Sequence, residues 1–202
     1  MTTRIFIAGI VGGIVMFIWT SIAHMAIPAL AEAGMSELPN ESAVVDALKS
    51  GIGNSAGFYM FPGSGLGPES TLAARREARE KNMEQKLASG PSGIVVFHAL
   101  RPLNLPRRLT IEFATEVLEA ILVIFLLSST RLLTAGSRIL FVTIAGVLAA
   151  LATNVSYWNW YGFPKRYTLA YMFIQIVGFF LVGVVSALML RHRDPVRESR
   201  PA

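Results

Sequence analysis

The sequence predicts an all-α membrane protein, a bundle of four transmembrane helices with a small α+β extracytoplasmic insert between the first and second helices. Hydrophobic residues make up 53% of the 202 residues and charged residues only 15%, and the mean hydropathy is +0.52. A soluble domain of this length rarely reaches such a balance. Four apolar stretches also approach the length of about 20 residues that a helix needs to cross a bilayer.

These stretches divide the chain into four regions. Residues 1–27 form the first transmembrane helix, 28–109 the insert, 110–190 the second to fourth helices, and 191–202 a basic cytoplasmic tail. The apolar runs themselves are Ile5–Ile27, Thr110–Arg131, Ile139–Tyr157 and Thr168–Leu190. Cleavage of the first run as a signal peptide after Ala29-Leu30-Ala31 is the alternative, although the run is longer than the roughly 7–15 residues of such a segment.

Charge and cysteine content exclude several classes of protein. The formal net charge is +5, but the basic residues lie at the ends of apolar segments and not in a stripe interleaved with aromatic residues. The predicted partner is therefore the lipid bilayer and not nucleic acid. The absence of cysteine excludes disulfides, thiolate metal sites, iron–sulfur clusters and cysteine nucleophiles.

The insert carries short, weakly apolar elements. The pattern predicts a helix over residues 41–50, a strand Gly57–Phe61, a partner strand within 93–99, and a charged helix over residues 69–87. In the charged helix, Arg76/Glu80 and Glu77/Lys81 lie at the i, i+4 spacing that allows ion pairs. The glycines at 63, 65 and 67 match no nucleotide-binding motif and predict a flexible turn.

Small residues recur at four-residue spacing in two of the apolar helices. Gly9 with Gly13, and Gly146 with Ala150, allow a neighbouring helix to approach closely. For the first pair, packing inside the bundle is favoured over formation of a homodimer, which stays open as the alternative.

Positive charge and aromatic residues predict the orientation. With four crossings and the N-terminus inside, the internal flanks hold seven arginines against five basic residues outside. The first helix, which has Arg4 before it, also favours this orientation, with both termini cytoplasmic. The residues between the third and fourth helices are those that a membrane–water interface selects, namely Tyr157, Trp158, Trp160, Tyr161, Phe163 and Tyr167.

The candidate site begins with three glutamates in the second apolar run. Glu112, Glu116 and Glu119 lie at i, i+4 and i+7 and therefore on one face of a helix. Carboxylates inside a membrane segment are costly and require a structural or functional reason. Glu112 is the shallowest, and it is expected to form a structural salt bridge that fixes the insert, with Arg101, Arg108, Lys165 or Arg166 as the partners.

The deeper glutamates are expected to belong to a polar layer in the outer half of the bundle. In the predicted orientation every helix contributes a polar side chain at about the same depth, whereas the inner halves are almost purely apolar. A polar outer half above an apolar inner half predicts a pocket open to the outside and not a pore. The predicted ligand-binding residues are Glu116, Glu119, His24, Asn154 and Gln175.

Metal binding is the sharpest chemical alternative. Glu116 and Glu119 with His24 and His98 would supply oxygen and imidazole ligands suited to zinc, manganese or iron. The spacing contains no E-x-x-H or H-E-x-x-H motif, so no cofactor is expected and a divalent metal stays the alternative. A serine hydrolase is disfavoured because the chain has no G-x-S-x-G motif.

Two segments carry a resemblance to a known group of proteins. Gly12-Gly13-Ile-Val-Met-Phe-Ile-Trp19 with His24, and Gly57-Phe-Tyr-Met-Phe-Pro62 in the insert, are similar to small bacterial inner-membrane proteins with four predicted spans and no assigned activity. The resemblance implies the bacterial inner membrane as the location.

The sequence therefore predicts a non-enzymatic accessory or interaction subunit with an outward-facing polar pocket. Its partner would be another protein or a second copy of the chain. The alternative is a small transporter-like or metal-dependent membrane protein that uses Glu116, Glu119 and His24.

Overall fold

The structure is a computed structural model that describes residues 3–67 and 69–190. The predicted basic tail, 191–202, lies outside the described residues. The chain divides into two compact units, Met1–Ser36 with Asn104–Ala202, and Glu37–Leu103. The described part of the chain is mostly helical, with one small two-stranded sheet.

The first unit is built from long helices. They are α1 (Thr3–Met25), the single turn α2 (Pro28–Ala31), α6 (Leu105–Ser128), α7 (Ala135–Ala150), α8 (Ser156–Tyr161) and α9 (Lys165–Met189). A π-helical turn, Leu151–Val155, joins α7 to α8 and makes one continuous helix of them. Among the described residues, three helices are long and apolar enough to cross a membrane, Thr3–Met25, Ala135–Tyr161 and Lys165–Met189.

Helix α6 differs from these three in composition. It has 24 residues, which is long enough to cross, but Glu112, Glu116 and Glu119 interrupt its apolar sequence. Its passage through the membrane stays a prediction. The helix begins at Leu105 and not at Thr110, because the side chain of Asn104 accepts a hydrogen bond from the backbone N–H of Arg107 at 3.0 Å and Pro106 is tolerated in the first turn.

Helices α1 and α6 pack side by side in antiparallel directions. The contacts recur every four residues, and the residue numbers rise along α1 as they fall along α6. The pairs are Gly9 with Ile121, Gly13 with Val117, and Phe17 with Phe113. A Cβ atom at Gly13 would overlap the backbone of Val117. The two backbones therefore approach each other so closely that only glycine fits, and the Gly9/Gly13 pair is used inside the unit.

Helix α9 packs against both α1 and α7. The core between the long helices contains fully buried Ile124, Val142, Val182 and Ser186. At Gly146 on α7 a Cβ atom would overlap the side chain of Phe179 on α9, so the predicted small residue in the third apolar run also marks a close helix contact.

The second unit contains the insert's short elements. They are α3 (Glu41–Ile52), β1 (Gly57–Phe61), α4 (Leu72–Ala78), α5 (Glu84–Ser89) and β2 (Gly93–Phe97), with a π-helical turn, Arg79–Met83, between α4 and α5. The two strands pair antiparallel, with Gly57 opposite Phe97 and Phe61 opposite Gly93, as the sequence predicts. Glu77 and Lys81 form the predicted ion pair at 2.9 Å, but both side chains are exposed, so the pair adds little stability.

Candidate functional site

Glu116 and Thr20 form the centre of the polar site, at the contact between α6 and α1. The Thr20 hydroxyl donates a hydrogen bond to Oε1 of Glu116 at 2.7 Å. Only 3% of Glu116 is exposed, and within the described residues its other oxygen, Oε2, is buried without a hydrogen-bond partner. The site thus holds one satisfied and one unsatisfied carboxyl oxygen between two helices.

His24 is linked to this centre through the backbone of Thr20. Its Nδ1 atom lies 2.9 Å from the carbonyl oxygen of Thr20, one helical turn earlier. The imidazole ring also packs edge-on against Tyr171 of α9, with 5.4 Å between ring centroids. The structure therefore links the predicted residues His24 and Glu116 through Thr20, because His24 contacts its backbone carbonyl and Glu116 contacts its hydroxyl.

Asn154 and Gln175 form a second polar pair, between the third and fourth apolar helices. Asn154 lies in the π-helical turn Leu151–Val155 and is buried, and its Nδ2 atom donates to the carbonyl oxygen of Ala150 at 3.0 Å. The same Nδ2 atom lies 3.4 Å from Oε1 of Gln175, a long hydrogen bond. Single π-helical turns inside α-helices are frequent at functional sites.

A hydrogen bond from Trp19 places the two polar pairs at one height. The indole Nε1 of Trp19 on α1 donates to the carbonyl oxygen of Ile174 on α9 at 2.9 Å. Trp19 precedes Thr20 and Ile174 precedes Gln175, so each polar residue lies only about 1.5 Å along its helix from this bond. We call Thr20, His24, Glu116, Asn154 and Gln175 the polar layer.

The other two glutamates lie at the edge of this layer. Glu119 is half-buried and Glu112 is exposed, so burial increases from Glu112 to Glu116 along the shared face. In the described part of the chain no ion pair joins Glu112 to Arg108, Lys165 or Arg166, and Arg101 belongs to the second unit. The structural salt bridge of Glu112 stays a prediction.

A series of aromatic rings leads to His24. The rings of Tyr157, Phe163, Tyr167 and Tyr171 contact one another in that order, with centroid separations of 5.4, 5.2 and 4.2 Å. Trp158 and Trp160 of the predicted interfacial belt are exposed. The ring series therefore connects the α8–α9 turn to the polar layer.

Sequence reasoning passed over two contributors to this site. Thr20 appears in the sequence only as one hydroxyl near His24, and the four-residue spacing of Thr20 and His24 is the signal for their contact. Tyr171 lies four residues after Tyr167 at the same helical spacing. Both assignments also need the register between helices, which spacing within one helix does not supply.

The predicted metal ligands are glutamate and histidine side chains on different elements. Among the described residues no group of three or more histidine, aspartate or glutamate side chains converges. His24 and Glu116 are joined through Thr20, while His98 lies in the second unit. Metal binding by Glu116, Glu119, His24 and His98 stays a prediction.

No protein-family model, curated protein or solved structure matches the chain. The functional argument therefore rests on the geometry of the polar layer.

Proposed function

We propose that the chain is a non-enzymatic integral membrane protein of four crossing helices that acts as an accessory or interaction subunit through its polar layer. The crossings would be α1, α6, the continuous helix α7–α8, and α9. The close packing of α6 along α1 supports a place for α6 among the apolar helices. In the proposed topology the α+β insert is extracytoplasmic, both termini are cytoplasmic, and the membrane is the bacterial inner membrane.

The observation that carries this proposal is the unsatisfied oxygen of Glu116. A buried polar atom without a hydrogen bond costs about 1–3 kcal/mol, and buried polar groups in native proteins are nearly always paired. Intramembrane carboxyl groups of this kind are typical of functional sites. Oε2 of Glu116 is therefore the atom through which the polar layer would engage a polar or cationic group of a partner.

The arrangement favours binding over catalysis. The Thr20 hydroxyl donates to the carboxyl group, and Nδ1 of His24 faces a backbone carbonyl. A nucleophile activated by a base requires a hydrogen bond between the two groups, and His24 contacts the carbonyl of Thr20 and not its hydroxyl. The polar side chains of the layer thus bond to each other and to helix carbonyls.

A second candidate is favoured by the enclosure of Oε2. Because this atom is buried in the contact between two helices, a small cation reaches it with less rearrangement than a partner side chain does. In a transporter-like or metal-dependent protein, Glu116 would bind the cation, with Glu119 and His24 as the neighbouring groups.

Affinity capture tests the first candidate. The full chain is captured from membranes solubilised in mild detergent, in wild-type form and with Glu116→Gln. We expect a partner, or a second copy, to be recovered with the wild type and lost with Glu116→Gln, because the amide replaces one of the two carboxyl oxygens with an NH2 donor. Glu37→Gln, at an exposed position, is the control and should retain the partner.

Equal recovery with Glu116→Gln and wild type would contradict the interaction role. The thermal unfolding midpoint in MnCl2 or putrescine separates the second candidate from the first. If either cation stabilises the wild type, and folded Glu116→Gln and Glu119→Gln variants both lose that stabilisation, the cation-binding function replaces the accessory function.

A further inference from the structure

A buried arginine lies at the end of the first unit opposite the polar layer. Arg138, in the first turns of α7, is only 7% exposed, although its position in the sequence predicts a simple flanking charge. Its Nε atom donates to the carbonyl oxygen of Leu132 at 3.0 Å, and Nη1 donates to the carbonyl oxygen of Leu190 at 2.5 Å. The side chain thus joins the α6–α7 turn to the C-terminal end of α9.

These two bonds use only part of the guanidinium group. An arginine side chain carries five N–H donors and no acceptor, so donors on the Nη atoms remain. Within the described residues no carboxylate forms an ion pair with Arg138. A buried cation is costly unless it is paired, and the partial negative charge of the α9 C-terminus compensates it only in part.

Arg138 lines a cavity of about 520 Å³. The cavity lies between the start of α1, the end of α6, the α6–α7 turn and the end of α9. Arg138 and the exposed Arg131 are its charged side chains, and most other lining residues are apolar, namely Ile5, Leu127, Leu132, Leu133 and Leu190, with Ser128 and Thr130 completing the wall. We call this space the arginine cavity.

The chemistry of the arginine cavity selects an anion with oxygen acceptors. The planar guanidinium fork matches the oxygens of a phosphate group and binds them in pairs. A cavity with two arginines and apolar walls suits a phosphate ester whose remaining atoms are hydrocarbon. Basic pockets between transmembrane helices near a membrane surface bind such anionic lipid headgroups.

We propose that the arginine cavity binds a phosphate group through Arg138 and Arg131. The phosphate is either that of an anionic lipid headgroup or free phosphate, since the two share the chemistry that the arginines recognise. Arg138 supplies a fixed pair of donors, because the carbonyls of Leu132 and Leu190 hold its side chain. Arg131 supplies the second charge from the turn.

Thermal unfolding of the full chain tests this proposal and separates the two sources. The protein is placed in nanodiscs of phosphatidylcholine with or without added phosphatidylglycerol, and separately in detergent with sodium phosphate or sodium chloride at equal ionic strength. For a lipid ligand we expect phosphatidylglycerol to raise the unfolding midpoint by about 5 °C. Free phosphate as the ligand would give the rise in detergent with sodium phosphate.

Arg131→Gln is the decisive variant because Arg131 is exposed and its loss leaves the carbonyl contacts of Arg138 intact. It should lose most of the rise, and Arg138→Lys should do the same where it folds, because lysine lacks the paired donors. Arg166→Gln, an exposed arginine at the other end of the helices, should keep the full rise. A rise that is the same in Arg131→Gln as in the wild type, a rise lost equally in Arg166→Gln, or no rise with either phosphate source would overturn the proposal.

Discussion

Replacing Gly13 with alanine is expected to destabilise the protein by about 1–3 kcal/mol or more, the range typical of overpacking. The added Cβ would overlap the Cα and backbone nitrogen of Val117. A side chain can rotate away from such a clash, but a helix backbone cannot, so α1 and α6 must separate. Separation would also weaken the hydrogen bond between Thr20 and Glu116, which spans the same contact.

Gly136→Ala is the matched control for this prediction. Gly136 lies in the first turn of α7 and a Cβ atom there meets open space, so the substitution should leave the unfolding midpoint in detergent unchanged or slightly raised. Similar midpoints for Gly13→Ala and Gly136→Ala would show that α1 and α6 do not pack at the distance described here.

Thr20→Val is expected to cost about 1–3 kcal/mol, because it leaves both oxygens of a buried carboxyl group unsatisfied. Valine has nearly the shape of threonine and removes only the hydroxyl group. Glu116→Leu should cost less, because the Thr20 hydroxyl retains the carbonyl oxygens of Met16 and Phe17, at 3.3 and 3.1 Å, as acceptors. The asymmetry follows from the fact that threonine has other partners and the carboxyl group does not.

The double variant separates this pairing from a general loss of packing. In the Glu116→Leu background, Thr20→Val should have little effect, so the two changes should be far from additive. The midpoint of chemical or thermal unfolding of the four proteins gives the coupling directly. If Thr20→Val costs the same in both backgrounds, the hydrogen bond between Thr20 and Glu116 does not contribute to stability.

Much of the architecture follows from local sequence patterns. The apolar runs predicted the long helices, and the pattern of β-branched and aromatic residues between turn signals predicted both strands and their pairing. The start of α6 was predicted too late, at Thr110, because the charged residues Arg107 and Arg108 hide a helix start that Asn104 and Pro106 specify. The π-helical turn around Asn154 carries no comparable signal in its own composition.

The candidate site could be predicted only in part from the sequence. Helical spacing places the three glutamates on one face, but it does not say which of them is buried. Their burial depends on the register of α1 along α6. The close contacts of Gly9 and Gly13 determine this register, and they join residues that are distant in the sequence. The burial of Arg138 has the same origin, because its acceptor Leu190 lies at the far end of the fourth apolar run.

The proposed topology requires that α6 crosses the membrane and carries Glu116 into a contact between helices. The chain contains no cysteine, so single cysteines can be introduced without removing any. Ser89→Cys lies in the insert and Ala135→Cys lies at the first residue of α7, directly after the α6–α7 turn, and both positions are exposed.

Labelling of intact cells with a membrane-impermeant maleimide compares the two positions. If α6 crosses in the proposed orientation, Ser89→Cys should be labelled from outside, whereas Ala135→Cys should be labelled only after the membrane is opened. Labelling of both positions from the same side would contradict the crossing of α6 and, with it, the intramembrane position of Glu116.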